Sequence, residues 1–501
     1  MNIGKDKMLP VAIAFLLNGC TGLSGHAQEQ VRMTFGEAYG YMQQNSHTIK
    51  QSVLQVRQKE AEEKASAALK VPQLGITGMA ASMSKSLHLD LTPVRDAITP
   101  LYETLGTYGN FSGLSDGSAV FPEAVSTTVI RQKMLEASEE ISQTSWDQTI
   151  QEKQFASLSA NISWPIYAGG KIRAANNAAR ISTREAGLKM EQKKAELLSE
   201  LVTRYYGLVL SRESERVRRQ VLEVMEKHLY DARKLLEQGQ IAQVEELHAE
   251  VARADAEREL LKAGRQTSIL SNALQNTLAL SGKKSPVPAS GLFMLNRLEE
   301  VAYFIDLAKR ESPLLRQIST KKKLAETGIK AQKSTYLPSV ALTGTYELAN
   351  KDLSPYIPEW LVGMGLNWTL FDGASGYRKL QAARLRAAQI DEAGEKAEDN
   401  METLVRKLHH ELGMLYEQME SLNKTLAFAE SYAESKNRAF LEGLTSSSEQ
   451  VDAQLMVSKF KIERLQIMYR YDVTLAALLQ HCGVPDRFLA YQQSRDLFSE
   501  K

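Results

Sequence analysis

Few side chains in this sequence stand where they could do covalent chemistry. Glu245 and His248 have the i, i+3 spacing of a di-iron helix ligand pair, but the residues that repeat them later, Glu449 and Asp452, lack the histidine. His409-His410-Glu411 places its potential ligands in the wrong order for a zinc protease helix. Ala168-Gly169-Gly170-Lys171 ends like a phosphate loop, yet Ile172 follows the lysine and the spaced upstream glycine is missing. Asn161-Ile162-Ser163 fits a glycosylation acceptor but sits inside a strand pattern. No Ser/His/Asp or Cys/His arrangement stands out. Neither catalysis, nor a cofactor, nor a metal is expected. The side chains of interest become those that could line, anchor or dock.

Two cysteines, Cys20 and Cys482, make no disulfide framework. Cys482 reads as a small buried hydrophobe. Cys20 follows Lys5, Lys7 and a short apolar run, Met8 to Leu17, too short to span a bilayer and typical of an export signal. Two cleavage readings stand side by side. Gly25-His26-Ala27 is a small-x-small site that would remove residues 1–27. Leu17-Asn18-Gly19-Cys20 resembles a lipoprotein box, which would remove 1–19 and leave Cys20 carrying lipid, although Asn18 is an unusual occupant. No other run reaches 18 apolar residues, so no transmembrane helix is expected. The 61 Lys+Arg balance 60 Asp+Glu, which leaves no basic face for nucleic acid.

The elements that must position these residues come in two copies. Ser163-Trp164-Pro-Ile-Tyr-Ala-Gly-Gly170 matches Asn367-Trp368-Thr-Leu-Phe-Asp-Gly-Ala374 at 368−164 = 204 residues, and Gly239 matches Gly443 at the same spacing. Val71 to Gly78 matches Leu337 to Gly344 at 266, so the first half carries an insertion of 266−204 = 62 residues, at about 84–150. Its Pro93, Pro100, Gly106, Gly109, Gly113 and Gly117 fit a loop. The expected plan is a first repeat over 28–282, a linker over 283–296, a second repeat over 297–483 and a tail over 484–501.

Each repeat alternates period-two runs with very long helix. In 157–166, 339–348 and 362–370 one face is apolar and the other is Ser, Thr, Asn, Gly and Ala, with a weaker run after Pro72. From Ile172 to Gln238 there is no proline, and Val217, Val221, Val224, His228, Ala232 and Leu235 step with coiled-coil spacing. Some 67 residues at 1.5 Å make a rod of roughly 100 Å. Four strands cannot close a membrane barrel, and open edges in lipid leave backbone groups unpaired. The fold class is therefore mostly α with a membrane β-barrel portion. Three copies would supply 3 × 4 = 12 strands, with the long helical hairpins projecting as a coiled-coil tube.

The paired strand-to-helix motifs at Trp164 and Trp368, with glycines at Gly239 and Gly443, resemble those of the TolC family of outer-membrane efflux proteins, over about Met33 to Gly483. The resemblance implies a homotrimer in outer-membrane lipid, a helical tunnel across the periplasm, and docking with a periplasmic adaptor and an inner-membrane pump. It makes the insertion an extracellular loop. It carries acidic constriction positions onto Glu449 and Asp452, with Glu245 as first-half counterpart; the bland alternative is ordinary exposed helix acids. Where the family's gate often has an arginine two residues after the glycine, this chain has Thr445. The tips Gly239-Gln240-Ile241 and Gly443-Leu444-Thr445 are implied adaptor contacts, or simply turns that need glycine. Trp164 and Trp368, with Trp146 and Trp360, fit an interfacial aromatic belt or plain core packing. Two other classes compete with the duct: a surface-anchored trimeric stalk or adhesin without a lumen, and a periplasmic enzyme on a helical scaffold.

Overall fold

A computed structural model describes residues 29–111, 122–280 and 284–494. The export signal and Cys20 lie outside these residues, as do Gly113 and Gly117. In chain order, Glu29–Met33 (β1), Phe35–Asn45 (α1) and His47–Ala67 (α2) come first. Gln73–Ser82 (β2), Leu87–Asp90 (β3), Thr92–Tyr108 (α3), Glu123–Val125 (α4), Arg131–Gln143 (α5), Asp147–Gln151 (β4) and Gln154–Ala168 (β5) follow. Lys171–Glu237 (α6) and Gln243–Thr277 (α7) are helices of 67 and 35 residues. Next are Lys284–Pro288 (β6), Val301–Glu311 (α8), Pro313–Lys333 (α9), Ser339–Lys351 (β7) and Trp360–Asn367 (β8). Ser375–Leu441 (α10) and Ser447–His481 (α11) are again 67 and 35 residues, each starting 204 after its counterpart, and Arg487–Gln492 (α12) ends the described chain.

The chain divides into two compact units. One comprises residues up to Gln55, Gly187–Gln317 and Glu395 onward. Its long helices bury coiled-coil seams: Val217, Val221, Met225, His228, Ala232 and Leu235 on α6, and Leu412, Leu415, Met419, Leu422, Leu426 and Ala429 on α10. Met225, rather than Val224, takes the seam position, which keeps the steps at three and four residues. An aromatic core of Phe35, Tyr205, Tyr206, Phe293 and Phe488 sits in the same unit, with ring centroids 5.2–6.2 Å apart. The Tyr205 hydroxyl donates to the Met33 carbonyl and accepts from the amides of Ala289 and Ser290. It thereby pins β1 to the segment after β6, the two strands pairing in parallel.

Two segments that the sequence reading set outside the repeats contribute to that core. Within 283–296, expected as a linker, lie β6 and the buried Phe293, Met294 and Leu295. The segment 484–501, expected as a tail, places α12 with Phe488 fully buried against Phe35. Cys482 is buried and free, as a small hydrophobe would be.

The second unit, Val56–Ala186 with Ile318–Gly394, holds a four-stranded antiparallel sheet ordered β2-β5-β7-β8. These are the four strands the period-two pattern marks, and β2 and β8 are its edges. The insertion is not a plain loop. The β2/β5 ladder ends at Ser82↔Gln154, and β3 pairs with β4 just beyond it. The helices α3 and α5 pack together on that stem, where a Cβ on Gly106 would lie 2.6 Å from Leu135. Pro93 occupies the first turn of α3, where a missing N–H costs nothing, so proline and glycine here serve helix start and helix packing.

Candidate functional site: a two-faced sheet and the hairpin tips

Register gives the four-stranded sheet two chemically distinct faces. Leu74 pairs with Ile162, Trp164 with Leu342, Leu342 with Met364 and Val340 with Leu366, so the apolar residues of all four strands share one face. They are largely exposed in the single chain. Thr77, Ser159, Asn161, Thr343, Thr345, Gly363 and Gly365 fall on the other face, whose large apolar members are Leu361 and, toward the end where β2 meets the insertion, Met79 and Phe155. Asn161 bridges three strands there: its Nδ2 donates to Thr77 Oγ1 at 2.9 Å, and its Oδ1 accepts from Thr345 Oγ1 at 3.1 Å. Ser159 Oγ donates to Glu347 at 3.1 Å. A face of small hydroxyls and amides stays wet and narrow in side-chain bulk, suited to water and solute. The opposite face is suited to hydrocarbon.

Strand-to-helix turns repeat in detail. Trp164 Nε1 donates to the Lys70 carbonyl at 3.1 Å, and Trp368 Nε1 to the Tyr336 carbonyl at 3.0 Å. Both acceptors end a short 3-10 turn that leads into β2 or β7. Both indoles are partly exposed with their polar tip satisfied, which is how an interfacial tryptophan is arranged. Trp146, by contrast, belongs to the insertion and donates to Ile141 O. The glycines of Ala168-Gly169-Gly170-Lys171 turn the chain from β5 into α6 at φ +59 and +90, a structural role in place of a phosphate cradle. Their counterparts are Gly373 and Ala374, at φ +66 and +65.

The hairpin tips close with left-handed glycines, Gly239 at φ +71 and Gly443 at φ +72. Gln240 N donates to Leu235 O and Leu444 N to Ala439 O, so each long helix ends in the same carbonyl-capping turn. Gln240 and Leu444 are exposed, Leu444 at 75%. Ile241 is half-buried against Leu229, Ala232, Leu235, Ala249 and Phe440, so it holds the tip together.

The three acids predicted from sequence meet different environments. Glu245 Oε2 accepts from Ser447 N at 2.7 Å, capping the start of α11 from the other hairpin, where the helix dipole favours a negative charge. Glu449 Oε2 accepts from Lys436 Nζ and from Thr445 Oγ1, both at 2.5 Å. These partners, Lys436 first, hold its carboxyl below the usual glutamate range. Thr445 thus does part of what a basic residue could do there. Asp452 is exposed, makes no ion pair among the described residues, and lines with Arg218, His248 and Asp255 a cleft of about 360 Å³ between α6, α7 and α11. Glu245 and His248 gather no metal set: among the described residues no group of three His, Cys, Asp or Glu is placed to hold one.

Sequence reasoning missed the pair between the tips, His228 and Ser447. Both are buried, with His228 Nε2 2.8 Å from Ser447 Oγ and the imidazole 4.6 Å from the Phe440 ring. His228 Nδ1 has no hydrogen-bond partner. Burial, then the nearby His248, pushes its pKa down to about 4. The available signal was a polar residue at a seam position, where a hydrophobe is the default.

Among the described residues, no helix is long and apolar enough to cross a membrane. A profile of the outer membrane efflux protein family matches residues 132–280 and 304–484, well over half of the chain. No curated protein matches it in sequence. Among solved structures, CusC, described for its folding and transmembrane channel formation, is 14% identical, with 92% of this chain and 95% of that one aligned at a TM-score of 0.67. The outer membrane protein VceC of Vibrio cholerae is 13% identical over 90% and 96% of the two chains, at 0.65. The MtrE outer membrane channel of Neisseria gonorrhoeae, in its open state, is 14% identical over 90% and 89%, at 0.64. Identities this low speak for the fold, and the profile speaks for descent. The duplicated strand-and-hairpin chain with a two-faced sheet belongs to the outer membrane efflux protein family, whose members are channels rather than enzymes.

Proposed function

We propose that three copies of this outer-membrane efflux channel close one 12-stranded barrel and one helical tunnel. The duct then serves a tripartite exporter, energised by an inner-membrane pump through a periplasmic adaptor. The observation that carries the reading is the sheet with one apolar face, one polar face and two open edges. On an edge strand of ten residues such as β2, about half the backbone groups point outward unpaired, at several kcal/mol each in hydrocarbon. That sum, tens of kcal/mol, exceeds the whole stability of a typical domain, about 5–15 kcal/mol. Successive strands are antiparallel, so β8 of one copy runs opposite to β2 of the next and can pair with it as its own neighbours pair. The Thr77–Asn161–Thr345 face then becomes the lumen. A stalk without a lumen needs no such face and finds no support in the family match.

At the periplasmic end, Asp452 supplies the unpaired carboxylate of a constriction ring. Glu449 contributes less, because Lys436 offsets it, and Glu245 acts as a cap between hairpins. Gly239, Gln240, Gly443, Leu444 and Thr445 form the adaptor-facing tips, with Ile241 as their internal support. The test is single-channel current from the purified protein in a planar bilayer. Native protein should conduct with cation selectivity, and Asp452→Ala should lose more of that selectivity than Glu449→Ala. Equal selectivity in all three would remove the constriction assignment, and no current from a folded trimer would remove the duct.

A further inference from the structure

The insertion carries a helix face that no described residue covers. One side of α3 packs inward through Ile98, Tyr102, Leu105 and Gly106. On the other side Val94, Leu101 and Tyr108 recur every seven residues and are 48%, 56% and 79% exposed. Ala97 and Thr104 stand between them, also exposed. Single exposed apolar side chains are ordinary. Three in heptad phase, with small residues at the intervening positions, make the seam of a helix that packs against something. Charged Asp96 and Glu103 lie beside the seam rather than on it.

The same unit offers a match at its opposite edge. The loop between β7 and β8 exposes Tyr356 at 68% and Ile357 at 50%. Its β7 side is tied to the stem of the insertion in its own copy: Gln151 Nε2 donates to Asp352 O, and Gln151 Oε1 accepts from Ser354 N, both at 2.8 Å. Tyr356 and Ile357 follow on the β8 side, next to the open edge. The seam belongs to the other edge, because β2 runs directly into β3 and α3.

We propose that the α3 seam of each copy receives Tyr356 and Ile357 of the neighbouring copy whose β8 pairs with its β2. The inference rests on the trimeric reading above and extends it to the extracellular side. Antiparallel pairing of β8 with the next β2 places one copy's β7–β8 loop beside the next copy's insertion stem. Each copy then gives a loop to one neighbour and a seam to the other, a head-to-tail contact that closes into a ring. The insertion thus becomes a clasp that joins copies outside the membrane.

The test is a paired cysteine experiment in the full-length protein in outer-membrane vesicles, treated with a flexible bismaleimide. Buried Cys482 is a poor target, and the unsubstituted protein serves as background. Leu101→Cys with Tyr356→Cys should give covalently linked trimers. Either substitution alone should give only monomers on denaturing gels, as should Tyr356→Cys with Glu139→Cys on α5. Cross-linking by Leu101→Cys alone would mean that α3 meets α3 and would overturn the head-to-tail contact. No linkage from a protein shown to be trimeric overturns the clasp and leaves the trimer standing, whereas a folded monomer overturns the reading beneath it. As a second measurement, Leu101→Glu should lower the temperature at which the trimer dissociates in detergent, with unchanged helix content. An unchanged dissociation temperature would also overturn the proposal, and would point to a lipid-covered seam if a water-soluble maleimide fails to label Leu101→Cys.

Discussion

His228 shows what one polar side chain does in a seam otherwise made of Val, Met, Ala and Leu. Its imidazole is held by Ser447 on one nitrogen and faces Phe440, with His248 nearby, while Glu245 accepts from the Ser447 amide. A histidine whose folded-state pKa lies below its unfolded value of about 6.5 favours the fold in its neutral form. That contribution is whole above pH 6.5 and is lost as pH falls toward 4. Tip amides near Met225–Ala232 and Ser447–Val451 should therefore exchange hydrogen about 10–100 times faster at pH 4.5 than at pH 7, after correction for intrinsic rates, which corresponds to about 1–3 kcal/mol. His228→Gln, which cannot titrate, should flatten the dependence. An identical pH dependence in both proteins would deny His228 this role. None of this is legible in sequence beyond the odd residue in the seam. Glu245 was legible as an acid near a tip but not as a cap, because the amide that donates to it, that of Ser447, lies 202 residues away on another helix.

At the scale of elements, the duplication was the most legible feature. Helices of 67 and 35 residues recur at an offset of 204 because proline-free heptads and a terminal glycine fix length and end locally. The strand-to-helix turn repeats with one flaw. Ala374 adopts φ +65 where its counterpart Gly170 is a glycine. An L-residue pays about 1–2 kcal/mol there, so Ala374→Gly should raise thermal stability by about 1 kcal/mol, and Gly170→Ala should lower it comparably. Melting curves of the two variants check this; loss of stability in Ala374→Gly would mean the methyl group packs favourably enough to outweigh the strain. The insertion and the segment 283–296 were less legible. Pro93, Pro100 and Gly106 suggest loop, yet Pro93 starts a helix and Gly106 lets α3 approach Leu135. In β6, five residues with two prolines carry too little pattern to announce a strand whose partner, β1, lies more than 250 residues away.

For the whole molecule, the proposed duct makes the single chain an incomplete object. Its sheet has chemistry for lipid on one face and for water on the other, but no way to close on itself. Sequence alternation disclosed the two faces, and strand counting leads to the proposed partner copies. The copy number follows from closure and the family resemblance together. The measurement that tests this most directly is the mass of the folded protein in detergent, by light scattering corrected for bound detergent. The account predicts three times the mass of one chain, which is 55.8 kDa for these 501 residues. A folded, detergent-soluble monomer, or an assembly of any other number, would contradict it.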